Sequence, residues 1–160
     1  MYKRQGGISS PQSEIVGDAA DLFGIEAAYS ADNYGLAVAY VTDDGGKGTE
    51  TTTWGFNGYY TPEGSLPSIS VGYETSETSG TDSDGYFVGL TFPEVGPGSV
   101  NIAAATTGLF TSTADDTYIY EASYSYAIND GMTVTPGIFI EEVAGGDDLT
   151  GIAVKTSFSF

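Results

Sequence analysis

The sequence predicts an all-β chain that folds as an antiparallel up-and-down barrel and crosses a membrane with its strands. Apolar and polar side chains alternate with a period of two along most of the chain, as they do in strands with one face toward lipid and one toward water. Most of these segments are about ten residues long, which is the length that a tilted membrane-crossing strand needs. The chain also has 23 Gly and 12 Tyr among its 160 residues, which favours strands and turns.

The final segment, 149–160, shows the alternation most clearly. One face carries mainly apolar side chains: Ile152, Val154, Phe158 and Phe160. The other face carries Gly151, Ala153, Lys155, Ser157 and Ser159. Last strands of outer-membrane barrels need such a pair of faces.

The same reasoning predicts nine strands, separated by turn-forming residues. They cover residues 22–30, 34–42, 52–61, 66–75, 85–92, 100–110, 118–128, 132–143 and 149–160. Asn129-Asp-Gly131 is a typical hairpin turn. Pro136 cannot donate to a ladder, so a bulge or bend is expected there.

The connections between these strands alternate in length and charge. Short connections cover 31–33, 62–65, 93–99 and 129–131, and longer polar or acidic ones cover 43–51, 76–84, 111–117 and 144–148. With the C-terminus at the periplasmic end, all short connections fall on that side, as in outer-membrane barrels. The alternation therefore favours an outer-membrane location.

The N-terminal residues do not fit this pattern. Met1-Tyr-Lys-Arg-Gln5 holds two of the four basic residues and resembles a translated sequencing adapter. We interpret residues 1–5 as non-native, residues 6–21 as a loop, and residues 22–160 as the C-terminal part of a barrel whose native sequence begins upstream. An odd count of nine strands agrees with this interpretation, since single-chain bacterial barrels have even counts.

The charge composition excludes several classes of function. The chain has 22 acidic and four basic residues, a net charge of -18, no His and no Cys. It therefore lacks disulfides, thiolate metal sites and the commonest general base. The negative charge argues against nucleic acid as a partner. We expect no enzyme activity, no catalytic residue, no cofactor and no metal site.

The polar sides of the strands provide candidate residues for the lining of a water-filled lumen. These candidates are Glu26, Asn57, Glu74, Glu121, Glu141 and Lys155. Four carboxylates against one amine would favour cations at this wall. Aromatic residues near strand ends are candidates for two interfacial girdles: Tyr29, Tyr40, Trp54, Tyr60, Tyr73, Tyr86, Phe92, Tyr118, Tyr126 and Phe160.

Several segments resemble the C-terminal half of cyanobacterial outer-membrane porins, which belong with OprB-type carbohydrate-selective and iron-uptake porins. They are Gly58-Tyr-Tyr-Thr-Pro-Glu-Gly64, Pro67-Ser-Ile-Ser-Val-Gly-Tyr73, Val88-Gly-Leu-Thr-Phe-Pro93, Tyr124-Ser-Tyr-Ala-Ile-Asn-Asp-Gly-Met-Thr-Val-Thr-Pro-Gly137 and Val154-Lys-Thr-Ser-Phe-Ser-Phe160. The resemblance implies a sixteen-stranded barrel, usually trimeric, of which this chain would form the last nine strands or so. The family's constriction loop is not recognisable here, so its solute selectivity does not carry over.

We therefore expect an outer-membrane porin that passively conducts small hydrophilic solutes such as sugars, inorganic ions and iron. Its expected partners are outer-membrane lipid, those solutes, two further copies in a homotrimer, and the barrel-assembly machinery, which would bind the last strand ending at Phe160. Two alternatives remain open. The chain could form a small closed barrel that serves as an anchor or adhesin, since small barrels are filled by their own side chains. It could also be a soluble β-sandwich that binds carbohydrate.

Overall fold

The computed structural model describes residues 2–9, 22–45, 49–107 and 117–159, and residues 2–9 by their backbone alone. These ranges contain ten β-strands. They are β1 (Tyr2–Ser9), β2 (Leu22–Ser30), β3 (Tyr34–Asp43), β4 (Thr51–Tyr60), β5 (Ser68–Thr78), β6 (Thr81–Val95), β7 (Gly98–Thr107), β8 (Thr117–Asn129), β9 (Met132–Glu141) and β10 (Leu149–Phe158). Within these ranges, no helix is long and apolar enough to cross a membrane.

The ten strands form one sheet in which the spatial order follows the sequence order from β1 to β10. The ladders with a resolved register are antiparallel, so the sheet is an up-and-down meander. The β9–β10 ladder runs without a shift from Leu149↔Glu141 to Phe158↔Met132. The predicted antiparallel up-and-down β fold is therefore confirmed.

The nine predicted strands correspond to β2–β10, and the largest boundary differences fall at one hairpin. The sequence predicts a long loop over 76–84, but β5 continues to Thr78 and β6 starts at Thr81. Ser79 and Gly80 alone form the turn, with φ values of 52° and 76°. Positive φ at both central residues is the type I′ geometry that matches strand twist, so polar strand ends can extend this hairpin beyond the predicted boundary.

The first strand was not predicted. β1 pairs with β2 from Tyr2↔Tyr29 to Ser9↔Leu22. Gly6–Ser9 therefore lies in a strand rather than in the predicted loop, and the sheet has ten strands rather than nine. The reason is that ladder hydrogen bonds come from the backbone, which allows a polar segment without clear alternation to pair. The non-native origin of residues 1–5 stays a prediction.

Pro136 and Pro93 differ in their effect on the register of their strands. The sequence predicts a bulge or a bend at Pro136; no bulge forms there, because β9 keeps its register with β10 through Pro136↔Val154. Pro136 lacks the backbone N–H that other residues donate, but β9 contains no extra residue at this position. The register shift in β6 instead lies between Phe92 and Val95, around Pro93, where a bulge tolerates the missing N–H.

The described residues contain no buried hydrophobic side chain, and Ser76, at 4% exposure, is the buried polar residue among them. Large apolar side chains are instead exposed on most strands, up to 79% for Ile152 on β10. A soluble sheet buries one face against a second layer. This sheet has no such layer in the described ranges, so its apolar side chains need another apolar environment.

The chain divides into two compact units, which we describe separately. In its described part, unit 1 contains β1–β3, β4 as far as Gly58, and the Gly72–Tyr86 stretch of β5 and β6. Unit 2 contains Tyr59–Val71, the rest of β6 with β7, and β8–β10.

Candidate functional site

Register assigns the candidate residues of unit 2 to one face. Directly paired residues share a face in an antiparallel ladder, and neighbours along a strand point to opposite faces. Lys155 pairs with Thr135, and Glu121 pairs with Phe139. Thr135, Phe139 and Glu141 are separated by even numbers of residues along β9, so their side chains lie on the same side of the strand. Glu121, Glu141 and Lys155 therefore share what we call the polar face of unit 2.

The same reasoning groups the candidates of unit 1. Glu26 pairs with Ala39, and a Cβ built on Gly55 would lie 3.9 Å from the Ala39 Cβ. Asn57 is two residues from Gly55 and shares that side of β4. The Thr53 hydroxyl is 2.9 Å from the Ser76 hydroxyl, which places Glu74 on the same side of β5. Glu26, Asn57 and Glu74 thus share the polar face of unit 1.

These six side chains all reach solvent. Asn57, Glu121 and Lys155 are exposed, and Glu26, Glu74 and Glu141 are half-buried. On unit 2, Glu141 lies two residues from Phe139, the partner of Glu121, so the two carboxylates are diagonal neighbours. Such positions are about 7–8 Å apart. Lys155 lies opposite Thr135, toward the other end of β9, so the nearest register neighbours of the two carboxylates do not include it.

Cross-strand pairs of small polar side chains also occupy the polar faces, and the sequence analysis did not identify them. Hydroxyl oxygens are 3.1 Å apart in Thr51–Thr78 and 3.1 Å apart in Ser125–Thr135, and Thr91 donates to the Asn101 amide oxygen at 2.8 Å. Thr107 and Thr117 form a further hydroxyl pair. The signal was the alternation of Ser and Thr, but their partners depend on register, which the sequence alone does not fix.

The opposite sides of the strands form an apolar face in each unit. In unit 1, Tyr40 and Trp54 are in ring contact at 4.7 Å, toward the long-connection end. Tyr29 and Tyr34 are in contact at 5.8 Å beside the short turn that joins β2 to β3. Between the two pairs lie the exposed side chains of Leu36, Val38 and Phe56. Unit 1 therefore shows an apolar band bounded by aromatic pairs.

In unit 2, Tyr118 and Tyr120 are in contact at 6.4 Å near the start of β8, and Tyr126 lies toward its other end. Among the remaining girdle candidates, Tyr60, Tyr73 and Tyr86 are exposed and Phe92 is half-buried. Phe160 lies outside the described residues. Aromatic side chains thus stand near both ends of β8, while the midpoint of its apolar side is Ala122.

A carboxylate next to β9 joins the ends of two strands. The Glu142 side chain accepts hydrogen bonds from the Tyr118 backbone N–H at 3.2 Å and from the Tyr120 hydroxyl at 3.3 Å. The Glu142 backbone N–H also donates to the Tyr118 carbonyl oxygen at 2.8 Å. Sequence alone gave no reason to choose Glu142 over its neighbour Glu141, because the two carboxylates differ only in the face they occupy.

Comparison with known proteins agrees with this two-faced sheet. No curated protein matched the sequence significantly. The family model described as "Gram-negative porin" matches residues 2–138, which is most of the chain. Porins are outer-membrane channels rather than enzymes. The chain belongs to the Gram-negative porin family, and its location is the outer membrane.

Proposed function

We propose that this porin passively conducts small hydrophilic solutes along the polar faces of its two units, while its apolar faces contact lipid. The observation that carries the proposal is that the described residues form two exposed surfaces and no buried apolar core. One is lined mainly by Ser, Thr, Gly and carboxylates, with single exposed aromatic residues such as Phe87, and the other carries mostly apolar residues such as Ile152 and Trp54. Water on one side and lipid on the other is the environment in which both surfaces are favourable.

We infer that the polar faces favour cations. Glu121 and Glu141 are diagonal neighbours on unit 2, and Lys155 is toward the other end of that face. The polar face of unit 1 adds Glu26 and Glu74. Charges that line a pore change which ions pass through it. Their influence fades over about 8 Å at physiological ionic strength, so the effect is greatest in dilute salt.

We further propose an OprB-type identity, with sugars, inorganic ions and iron as the solutes. Resemblance in segments such as Val88–Pro93 and Val154–Phe160 supports this narrower assignment. The same resemblance supports a homotrimer and recognition of the C-terminal strand by the barrel-assembly machinery. Monodisperse trimers in native mass spectrometry would support the oligomer, and a purely monomeric channel would contradict it.

Conductance across a planar bilayer tests the channel, and the reversal potential in a KCl gradient tests its selectivity. The combined variant Glu121→Gln/Glu141→Gln should conduct but shift the reversal potential toward anions. Glu63→Gln removes one carboxylate charge from the short connection between β4 and β5, away from the polar face, so it serves as a control and should leave the potential nearly unchanged.

The outcomes separate the functions considered. If the protein is folded and inserted in the membrane but shows no conductance, the channel function is rejected in favour of an anchor or adhesin. If the protein conducts but the double substitution does not change its reversal potential, the channel function stands and the cation preference at these residues is rejected.

A further inference from the structure

An apolar groove lies on unit 1, where β2, β3 and β4 run side by side. It is lined by Ala27, Ala28, Tyr29, Leu36, Ala37, Val38 and Phe56, and its volume is about 230 Å³. Small-molecule sites usually enclose about 300–1,000 Å³. The groove can therefore hold part of a chain-like apolar ligand, but it is too small for a whole lipid.

The groove exists because a small side chain stands among large ones on the apolar face. Ala27 pairs directly with Val38, and Tyr29 pairs with Leu36. Ala27 lines the groove together with Tyr29 and Phe56, and its side chain is a single methyl group. Leu36 also leans over Gly58, since a Cβ at Gly58 would lie 2.9 Å from the Leu36 Cδ2 atom. The small side chain of Ala27 thus leaves a depression among its larger neighbours.

We propose that this groove binds one acyl chain of a phospholipid in the periplasmic leaflet of the outer membrane. The proposal rests on the proposed function, because it requires that the apolar face contact lipid. No lining side chain carries a polar group except the Tyr29 hydroxyl, so a polar ligand would find few hydrogen-bond partners. A flexible hydrocarbon chain needs none.

The position of the groove along the strands selects the leaflet. Ala27–Tyr29 lies at the end of β2 and Leu36–Val38 near the start of β3, both close to the short connection that contains Asp32. Outer-membrane barrels place their short turns in the periplasm. The Tyr29–Tyr34 pair would mark the interface on that side, with the groove just inside the hydrocarbon.

Binding in this setting depends on packing rather than on removal of apolar surface from water. Surrounding lipid is as apolar as the groove, so preference for a bound chain comes from the extra atom–atom contacts that a concave surface provides. The expected preference is therefore small. We expect it to be about threefold over lipid at an ordinary position on the apolar face.

Tryptophan quenching by phospholipids with brominated acyl chains measures this preference. The full chain is used with Trp54→Phe, which removes its single tryptophan, and Phe56→Trp, which puts a reporter in the groove wall. The control reporter is Ile138→Trp on the apolar face of unit 2. Each protein is reconstituted in mixtures of brominated and unbrominated phospholipid. Quenching is also followed as unlabelled lipids of different chain length compete.

We expect the groove reporter to reach half-maximal quenching at a brominated fraction about threefold lower than the Ile138→Trp reporter does. Adding Ala27→Leu should remove the difference by filling the groove. Ala122→Leu is the matched control, because Ala122 pairs with Ile138 as Ala27 pairs with Val38. It should leave the Ile138→Trp reporter unchanged. Identical heat-modifiable migration of all variants in gels establishes that each is folded.

Three results would contradict the proposal that the groove binds an acyl chain. Equal quenching curves at both positions would reduce the contact to ordinary annular lipid. If Ala27→Leu leaves the quenching curve of the Phe56→Trp reporter unchanged, the lipid preference does not arise from the groove. Loss of quenching as protein density rises would show that a second copy covers the surface. By contrast, absence of quenching at both reporters would contradict the lipid-facing assignment, and with it the proposed function.

Discussion

The ring of Tyr124 on β8 lies over Gly98 on β7, where a Cβ would come within 2.8 Å of the tyrosine Cζ atom. The Tyr124 hydroxyl donates to the Val95 carbonyl oxygen at 3.0 Å. The glycine thus leaves room for the ring, and the ring brings a donor to the β6–β7 turn. An aromatic ring over a cross-strand glycine is a known means of fixing sheet register.

Gly98→Ala should destabilise the folded protein by about 1–3 kcal/mol, because the new methyl group meets both the Tyr124 ring and the Ser125 carbonyl oxygen. Urea titration of the folded protein in detergent measures the change. Gly55→Ala is the control, since its methyl group would be 3.9 Å from Ala39 and make an ordinary contact. Equal stability of the two variants would show that the ring does not need the space above Gly98.

Tyr124→Phe should cost about 0.5–1.5 kcal/mol, because it removes the hydrogen bond to the Val95 carbonyl but keeps the ring over Gly98. The same urea titration applies. Tyr126→Phe removes a hydroxyl from the same strand and face, and it provides the comparison. A loss that is no larger for Tyr124→Phe would mean that the Val95 contact contributes nothing measurable.

Glu142→Ala should loosen the ends of β8 and β9 that lie away from the Asn129–Gly131 turn. The substitution removes the acceptor for the Tyr118 amide and the Tyr120 hydroxyl, so the Tyr118 amide should exchange with solvent about five- to tenfold faster. Hydrogen exchange followed by NMR in detergent gives the rate. Glu142→Gln keeps an acceptor oxygen and should restore most of the protection; unchanged exchange in the alanine variant would argue against the contact.

The sequence predicts the fold well where alternation is strong, and less well where backbone pairing decides. Strand β2 was predicted with its observed boundaries, because its side chains alternate and turn residues follow Ser30. Strand β1 was missed, since its pairing with β2 needs no apolar face. The strand ends beside the Ser79–Gly80 turn are polar and resemble loop residues, so the sequence predicts a long loop there instead of a two-residue turn.

The candidate site divides in the same way. Period-two alternation was enough to predict which residues share a strand face, such as Thr135 and Glu141 on β9. The neighbours across strands, such as Ser125 and Thr135, depend on register, and a slip of one residue would have exchanged the faces. The pore and girdle roles themselves stay predictions, because they concern the water and lipid around the sheet.

The Ser79–Gly80 turn leads to a further prediction. Gly80 has a φ of 76°, which L-residues adopt only with strain, so Gly80→Ala should destabilise the protein by about 1 kcal/mol. Ser79→Asn should stabilise it slightly, because asparagine tolerates a φ of 52° better than serine does. Urea midpoints should therefore move in opposite directions for the two variants. A shift of both in the same direction would contradict the type I′ geometry.

The orientation of the sheet can be tested with Trp54, the single tryptophan of the chain. Trp54 is 53% exposed on the apolar face of unit 1 and contacts Tyr40. In vesicles, its fluorescence should be quenched by brominated acyl chains and only weakly by aqueous acrylamide, which is neutral and so is not repelled by the acidic protein. Trp54→Phe/Asn57→Trp moves the reporter to the polar face of the same strand, and the two sensitivities should exchange. Acrylamide quenching of Trp54 without quenching by lipid would reverse the assignment of the two faces, and the residues proposed to line the lumen would then lie toward lipid.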